Sequence, residues 1–240
     1  MHAAIENRYD AVSFSPRFRI DGAAERWLQP ALLVTLVYRV GAAGTEADPE
    51  RVMANGQCFL ARRAMLLDAG GYRSARASFC DDVTLARHLA RTGHRVGFLD
   101  GSRLYDVRSY TSFRETWREW GRSLDLKDAS TTWRQWGDVL FLLLVQGMPL
   151  PALVLLGALS LAGVSLGETA KLIGLVSAIL VLVRVLLQRA LAASYERRGL
   201  AFWLSPTADP LAAVRIVLST VRRPRAWRGR AYSSLGKVGA

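Results

Sequence analysis

Apolar and polar positions follow two different patterns along the chain, and the change falls near Asp138. Before it, apolar runs are short and are broken by charged residues, Gly and Pro. From Val139 to Gly167 no residue is charged, which is ample for one transmembrane helix that Pro149 and Pro151 kink or bound. Leu172–Gln188 is predicted to be a second span. The pattern therefore predicts an α/β segment followed by transmembrane α-helices.

Charges around the second predicted span indicate its orientation. Arg184 is the only charge within it and lies near Arg189, so its side chain is expected to snorkel to the same membrane surface. Arg189, Arg197 and Arg198 mark a cytosolic side. Leu211–Val221 is either amphipathic or a third, marginal membrane segment. The predicted organisation is residues 1–136 as a cytosolic domain, 137–190 as two transmembrane helices, and 191–240 as an interfacial or third membrane segment with a basic cytosolic tail.

Short strands and helices are predicted within residues 1–136. The apolar run Ala31–Tyr38 is too short to span a membrane and is either a core helix or an interfacial one. Val52–Leu60 reads as a strand interrupted at Gly56, where glycine marks either a β-bulge or close approach to a ligand. Further strands are predicted at Ala11–Phe14, Arg95–Leu99 and Leu104–Val107, and a short helix at 61–69.

Two adjacent carboxylates, Asp81 and Asp82, open a segment with helical spacing in which Val83, Ala86 and Leu89 share one face. A carboxylate at this point accepts hydrogen bonds from the free N–H groups of the first turn, and the helix dipole favours the anion. Because such a group is ionised at neutral pH, it is able to accept a proton from an attacking hydroxyl. Residue type alone leaves two alternatives, a helix cap and a catalytic base.

A row of arginines marks the helix predicted after residue 112. Arg114, Arg118 and Arg122 recur at four-residue intervals, beside an aromatic face that includes Trp120. Three guanidinium groups in a row fit a diphosphate. The alternative is a solvated basic face that meets lipid headgroups. Taken alone, the row of arginines favours this second interpretation.

Composition favours a membrane protein over a nucleic-acid-binding one. The net charge is +12, but 51% of the residues are hydrophobic and the mean hydropathy is +0.14. The basic residues cluster beside apolar stretches, above all at 222–230, as in segments that contact anionic lipid. No zinc-ligand spacing or RNA-binding motif occurs, so nucleic acid is not a predicted partner. Cys58 and Cys80 are too few for a disulfide framework and fit the reducing cytosol.

The order of these features resembles a membrane-anchored family 2 glycosyltransferase, in the branch of ceramide glucosyltransferase-like and hopanoid- or carotenoid-associated enzymes. This resemblance implies a GT-A fold, a nucleotide-sugar donor and a lipid acceptor, with inversion at the transferred sugar. It also implies a multi-pass protein of the inner (cytoplasmic) membrane with its catalytic part in the cytosol. The residues that carry the resemblance are Asn55-Gly56-Gln57, Arg62-Arg63, Gly70-Gly71-Tyr72, Asp81-Asp82, the arginine helix, the two spans and Trp227-Arg228-Gly229-Arg230-Ala231-Tyr232.

Particular roles follow from the resemblance. Asp82 matches the general base and Asp81 a supporting carboxylate, while Gly56 and Gln57 match a strand near the donor sugar or acceptor. The family also holds a divalent cation, Mg²⁺ or Mn²⁺, on an Asp-x-Asp motif, and no such motif precedes Asp81. We therefore expect this chain to be a C-terminal portion without the nucleotide-binding half. By itself it is expected to bind no nucleotide sugar at micromolar concentration.

The arginine helix departs from the resembled family. Its Gln-x-x-Arg-Trp motif aligns with residues 116–120, where only Trp120 survives and Thr116 and Glu119 replace the Gln and the Arg. Arg118 or Arg122 is left to supply the missing charge at a diphosphate. The competing hypothesis is a non-catalytic membrane anchor or interaction module that retains a degenerate transferase domain.

Overall fold

The computed structural model describes residues 9–44, 47–108, 110–222, 226–227 and 230–231. The described chain is mixed α/β and mostly helical. Its strands are β1 (Ala11–Ser15), β2 (Arg17–Arg19), β3 (Phe59–Ala61), β4 (Val96–Asp100), β5 (Asp106–Arg108), β6 (Ala226–Trp227) and β7 (Arg230–Ala231). Its α-helices are α1 (Ala23–Val40), α2 (Arg63–Asp68), α3 (Asp81–Arg91), α4 (Phe113–Ser123), α5 (Thr132–Leu142), α6 (Pro149–Leu161), α7 (Glu168–Ala190), α8 (Leu200–Trp203) and α9 (Asp209–Val221).

A small mixed sheet lies in the first half of the chain. β1 is its central strand, parallel to β4 and antiparallel to β3, with Val12 opposite both Leu60 and Gly97. Four consecutive residues of β1 are buried, as is usual for a strand covered on both faces. After Pro16 the chain continues as β2, which pairs in parallel with β5, and β6 pairs with β7 in a separate two-stranded unit. The strands predicted at Ala11–Phe14 and Arg95–Leu99 are confirmed.

Two strand predictions are wrong in extent. Only Phe59–Ala61 of the predicted Val52–Leu60 strand is a strand, and Gly56 lies in a turn. The cause is the Ser13 side chain, whose hydroxyl shares hydrogen bonds with the Asn55 and Cys58 carbonyls and so replaces ladder bonds. The strand predicted at Leu104–Val107 begins later, at Asp106, because the N–H of Leu104 closes a turn onto the Gly101 carbonyl.

Helix α1 lies at the centre of the largest apolar cluster. Leu28, Ala31 and Leu32 are fully buried, so the run Ala31–Tyr38 belongs to a core helix. The helix is also longer than that run, since it extends over 18 residues. Helices α4, α5 and α9 pack around it and contribute Trp120, Val139, Leu142, Ala212 and Ile216 to the cluster, and Leu124, just after α4, joins them.

Helices α6 and α7 pack against each other as a hairpin. Within the described residues, α7 with its short continuation to Ser194 is the one single helix that is long and apolar enough to cross a membrane, and 11% of its apolar window is buried. The predicted first span is not one straight helix. It comprises the end of α5, a π-helical turn at Leu143–Gly147 and α6, with a bend of 42° between the two parts.

The predictions for Arg184 and for Leu211–Val221 are resolved by packing. Arg184 is 2% exposed and does not snorkel, because it forms an ion pair with Asp209 at 2.8 Å inside the protein. Helix α9 has 13 residues, about 20 Å in length, which is short of the ~30 Å hydrocarbon core of a bilayer. One face of α9 packs in the core through Ala213 and Ile216, whereas Val214 is exposed.

Candidate functional site

The two adjacent carboxylates lie in the first turn of α3. Cys80 occupies the capping position, and Asp81 and Asp82 are the first two helical residues. One oxygen of Asp82 accepts a hydrogen bond from the N–H of Val83 at 2.8 Å, and an oxygen of Asp81 accepts one from the N–H of Asp82 at 3.1 Å. The predicted helix start is confirmed, and both carboxylates bind free N–H groups of the first turn.

The structure brings Asp82 together with Gly56, a residue 26 positions earlier that the resemblance also singles out. The Gly56 N–H donates a hydrogen bond of 2.8 Å to Oδ2 of Asp82. A Cβ at Gly56 would lie 3.4 Å from the same oxygen. A small side chain at this position would therefore make only an ordinary van der Waals contact with the carboxylate. Gly56 and Asp81 are exposed and Asp82 is half-buried, so the pair lies at the protein surface.

The turn that carries Gly56 is fixed to the sheet through β1. The N–H of Asn55 donates to Oγ of Ser13 at 2.7 Å, and Ser13 is fully buried. Within the turn, the N–H of Gln57 donates to Oδ1 of Asn55 at 3.1 Å, and the amide oxygen of Gln57 lies 3.3 Å from Nδ2 of Asn55. These contacts hold the backbone beside Asp82, while the Gln57 side chain is exposed.

Two tyrosines border this surface. The Tyr105 hydroxyl donates a hydrogen bond of 2.7 Å to the Phe14 carbonyl, and burial raises the pKa of Tyr105 to about 12. The pKa of Tyr72 is also raised, first by burial and then by the negative charges of Asp81 and Asp82. Both phenols are therefore neutral at physiological pH. Tyr72 is 48% exposed and lies near enough to Asp81 and Asp82 for their charges to act on its phenol.

A buried arginine that the sequence analysis did not single out fixes α3 in place. Arg87 is 2% exposed and donates to the carbonyls of Val52 and Ala129 and to the Ser130 hydroxyl, at 3.1, 2.7 and 2.7 Å. Burial, followed by repulsion from Arg39, lowers the pKa of Arg87 to about 10. The sequence already indicated that Arg87 is buried, because Arg87 is four residues beyond Val83 and therefore on the apolar face of the helix.

The arginine helix, α4, does not present its predicted residues as one group. Trp120 is 6% exposed and packs in the core with Leu28 and Ile216. The Arg118 side chain is 70% exposed, and its Nε donates to Glu119 at 2.8 Å. Arg122 lies in α4, and its side chain is outside the described part of the structure. Trp120 is therefore placed as a core residue, and Arg118 as a surface one.

A divalent cation requires several converging oxygen, nitrogen or sulfur ligands. Among the residues that the structure describes, no three His, Cys, Asp or Glu side chains converge to hold a metal ion. Asp81 and Asp82 are two adjacent carboxylates, and one oxygen of Asp82 is engaged by Gly56. These residues do not fit a divalent-cation site by themselves.

The chain matches no protein-family model, no curated protein sequence and no solved structure. The glycosyltransferase family therefore stays a resemblance, which depends on the motifs quoted above and on the geometry that surrounds Asp82.

A second polar cluster lies at the base of the hairpin, and the sequence analysis missed it. Arg184 donates from Nε to both oxygens of Asp209, at 3.1 and 2.8 Å, and from Nη1 to Gln188 at 2.7 Å. Gln146, in the π-helical turn, donates to Asp209 at 3.1 Å. All four side chains are at most 3% exposed. The cluster joins α7, α9 and the π-helical turn, and its hydrogen bonds satisfy the buried charges.

Proposed function

We propose that this chain acts in glycosyl transfer, from a nucleotide-sugar donor to a hydroxyl group of a lipid acceptor, with inversion at the transferred sugar. The observation that carries the proposal is the pairing of Asp82 with the Gly56 N–H. The resemblance selects both residues independently of the structure. They meet at the surface, next to Asp81 and Tyr72, where a substrate hydroxyl has access to the carboxylate.

Asp82 is assigned the role of general base. The acceptor oxygen attacks the anomeric carbon, the bond from that carbon to the diphosphate breaks, and the hydroxyl proton passes to Asp82. The N–H groups of Gly56 and Val83 hold the carboxylate in one orientation and favour its ionised form. Asp81 adds negative potential at the same helix start. No diphosphate-binding role is assigned to Trp120, because its indole is in the core.

Membrane placement supports a lipid acceptor. Helix α7 is long and apolar enough to span a bilayer, and most of its surface is uncovered by protein. A soluble core helix of this hydropathy would be buried. The α6–α7 hairpin is proposed to cross the inner membrane twice, with both flanking parts cytosolic. Reporter fusions after Val107, at Gly167 and after Arg222 should read inside, outside and inside; an outside signal after Arg222 contradicts this topology.

The test is transfer of labelled sugar into lipid. Membranes from cells that express the protein are given uridine- or guanosine-diphosphate sugars with Mg²⁺ or Mn²⁺. Loss of a general base slows chemistry by about 100- to 10,000-fold, so Asp82→Asn should abolish labelling. Asp68→Asn, at an exposed carboxylate on α2, is the matched control and should retain it. Normal labelling with Asp82→Asn would exclude Asp82 as the base.

One observation favours the competing function, a non-catalytic membrane anchor or interaction module. Both oxygens of Asp82 already accept backbone hydrogen bonds, from Gly56 and Val83, as they would in a purely structural role. Under this hypothesis the wild-type membranes transfer no sugar from any of the donors above. The same assay therefore separates the two functions.

A further inference from the structure

One side of helix α5 is buried in the core, and the opposite side is exposed and apolar. Gln135, Val139 and Leu142 are buried against the core. On the other side lies a row of exposed residues, called here the apolar stripe. It runs through the π-helical turn to the start of α6 at spacings of three or four residues, which keep one face of a helix. The apolar stripe consists of Trp133, Trp136, Leu140, Leu144 and Met148, with exposed fractions of 87%, 48%, 60%, 58% and 55%.

The charged residues of α5 do not interrupt this stripe. The helix has two, Arg134 and Asp138. Asp138 accepts a hydrogen bond of 3.0 Å from the buried Arg39, and Arg134 lies 4.0 Å from Glu50. Both side chains are thus directed toward the protein. A water-facing side of a helix is ordinarily polar, and a contiguous apolar one marks an interaction surface.

Length indicates what covers the stripe. Helix α6 has 13 residues, about 20 Å in length, whereas the hydrocarbon core of a bilayer is ~30 Å thick. The stripe continues directly from α6, across the bend of 42°. Lipid that surrounds α6 therefore reaches Leu144 and Leu140 without a break. The two tryptophans at the far end of the stripe are the residue type that is enriched at headgroup level.

We infer that α5 lies partly submerged in the leaflet on the cytosolic side, with the apolar stripe facing lipid and Trp133 and Trp136 among the headgroups. The membrane boundary then falls inside α5, at a point before residue 137. The sequence pattern placed this boundary at residue 137. This inference rests on the membrane placement proposed above and is independent of the transferase activity. It gives the protein an attachment surface on one leaflet in addition to the hairpin.

Environment-sensitive probes at matched positions test this inference. Single cysteines replace Leu140 on α5, Leu155 on α6 and Leu67 on α2, whose exposed fractions are 60%, 60% and 61%. The background variant is Cys58→Ser. Cys80 is retained, because it is buried and burial raises its thiol pKa, which slows labelling. The full chain, labelled with a nitrobenzoxadiazole fluorophore, is reconstituted in phosphatidylcholine–phosphatidylglycerol vesicles. Quenching is measured with nitroxide-labelled lipid and with aqueous iodide.

We expect the probes at 140 and 155 to be quenched by the nitroxide lipid and protected from iodide, and the probe at 67 to behave in the opposite way. If iodide quenches the probe at 140 while nitroxide lipid quenches the probe at 155, α5 does not lie in the leaflet and the inference fails. The membrane placement of the hairpin then stands. If 140 and 155 are both open to iodide, the placement fails as well. Protection of 140 from both quenchers indicates a protein partner or a second copy and also overturns the inference.

Discussion

Asp82 and Asp209 each lie in the first turn of a helix, and their surroundings are opposite. Asp82, in the first turn of α3, is half-buried at the surface and accepts hydrogen bonds from backbone N–H groups. Asp209 is the first residue of α9, is 3% exposed and is paired with the Arg184 guanidinium. The same residue type in the first turn of a helix thus serves two purposes. The accessible carboxylate differs from the structural one in the group that it contacts, backbone N–H groups for Asp82 and a guanidinium for Asp209, and not in its place within the helix.

The largest expected effect on stability comes from neutralising the buried aspartate. Asp209→Asn leaves the Arg184 charge unpaired inside the protein, and removal of one partner from a buried pair costs about 3–5 kcal/mol. Asp82→Asn keeps one of the two acceptor oxygens and leaves one backbone N–H at the surface to solvent, so it should lower the free energy of unfolding by about 1–2 kcal/mol. The measurement is unfolding in mixed micelles titrated with sodium dodecyl sulfate. Equal losses for the two variants would contradict the comparison.

Replacing both Arg184 and Asp209 tests whether the two residues stabilise the protein as a pair. Arg184→Met alone should destabilise the protein by about 3–5 kcal/mol, because the buried Asp209 carboxyl then loses its ionic partner. Combining Arg184→Met with Asp209→Leu removes both charges, and the double variant should regain about 2 kcal/mol or more relative to the single one. A double variant whose loss equals the sum of the single losses would show that the two residues are not coupled.

The next effect concerns access to Asp82. A Cβ at Gly56 lies at ordinary van der Waals distance from the carboxylate, 3.4 Å, so Gly56→Ala should fold and retain most of the activity. Gly56→Leu places a larger side chain against the same oxygen. We expect lipid glycosylation to fall by about tenfold or more, since small displacements of reacting groups are costly. Activity of the leucine variant equal to that of the alanine variant would place the acceptor elsewhere.

The smallest effect is expected at Arg118. Its side chain is exposed and its ion pair with Glu119 lies at the surface. Arg118→Ala should therefore alter the free energy of unfolding by about 0.5 kcal/mol or less. Trp120→Ala, two positions away but in the core, should cost about 3–5 kcal/mol. A large loss of donor affinity in Arg118→Ala, measured with the transferase activity, would restore the diphosphate role that the resemblance gives to this helix.

Local patterns in the sequence predicted the local structure well. The helix start at Asp81, the strands β1 and β4 and the long apolar helix α7 each follow from the spacing of neighbouring residues, and each is present. Such features depend on contacts within a few residues of one another. The same patterns left the choice between core and interfacial positions open for α1.

Contacts between distant residues account for the errors. The turn at Gly56 forms because Ser13, 42 positions from Asn55, hydrogen-bonds its backbone, and no pattern within 52–60 contains that information. Arg184 was expected to snorkel because its partner Asp209 belongs to a helix formed 25 positions later. Trp120 occupies the core because α1 and α9 cover it. The site at Asp82 was predictable only as a helix start, and its Gly56 neighbour only through the resemblance.

The core around α1 also constrains the order in which the protein assembles. Leu28 lies near the beginning of the chain and Ile216 near its end, yet both belong to one apolar cluster. Since the N-terminal part of a chain is synthesised first, the part of α1 that α9 covers stays exposed until α9 emerges. Under the membrane placement proposed above, α6 and α7 reach the insertion machinery before α9 does. Contacts between such distant segments form slowly, so on that proposal the hairpin inserts first and the core closes at the membrane surface afterwards.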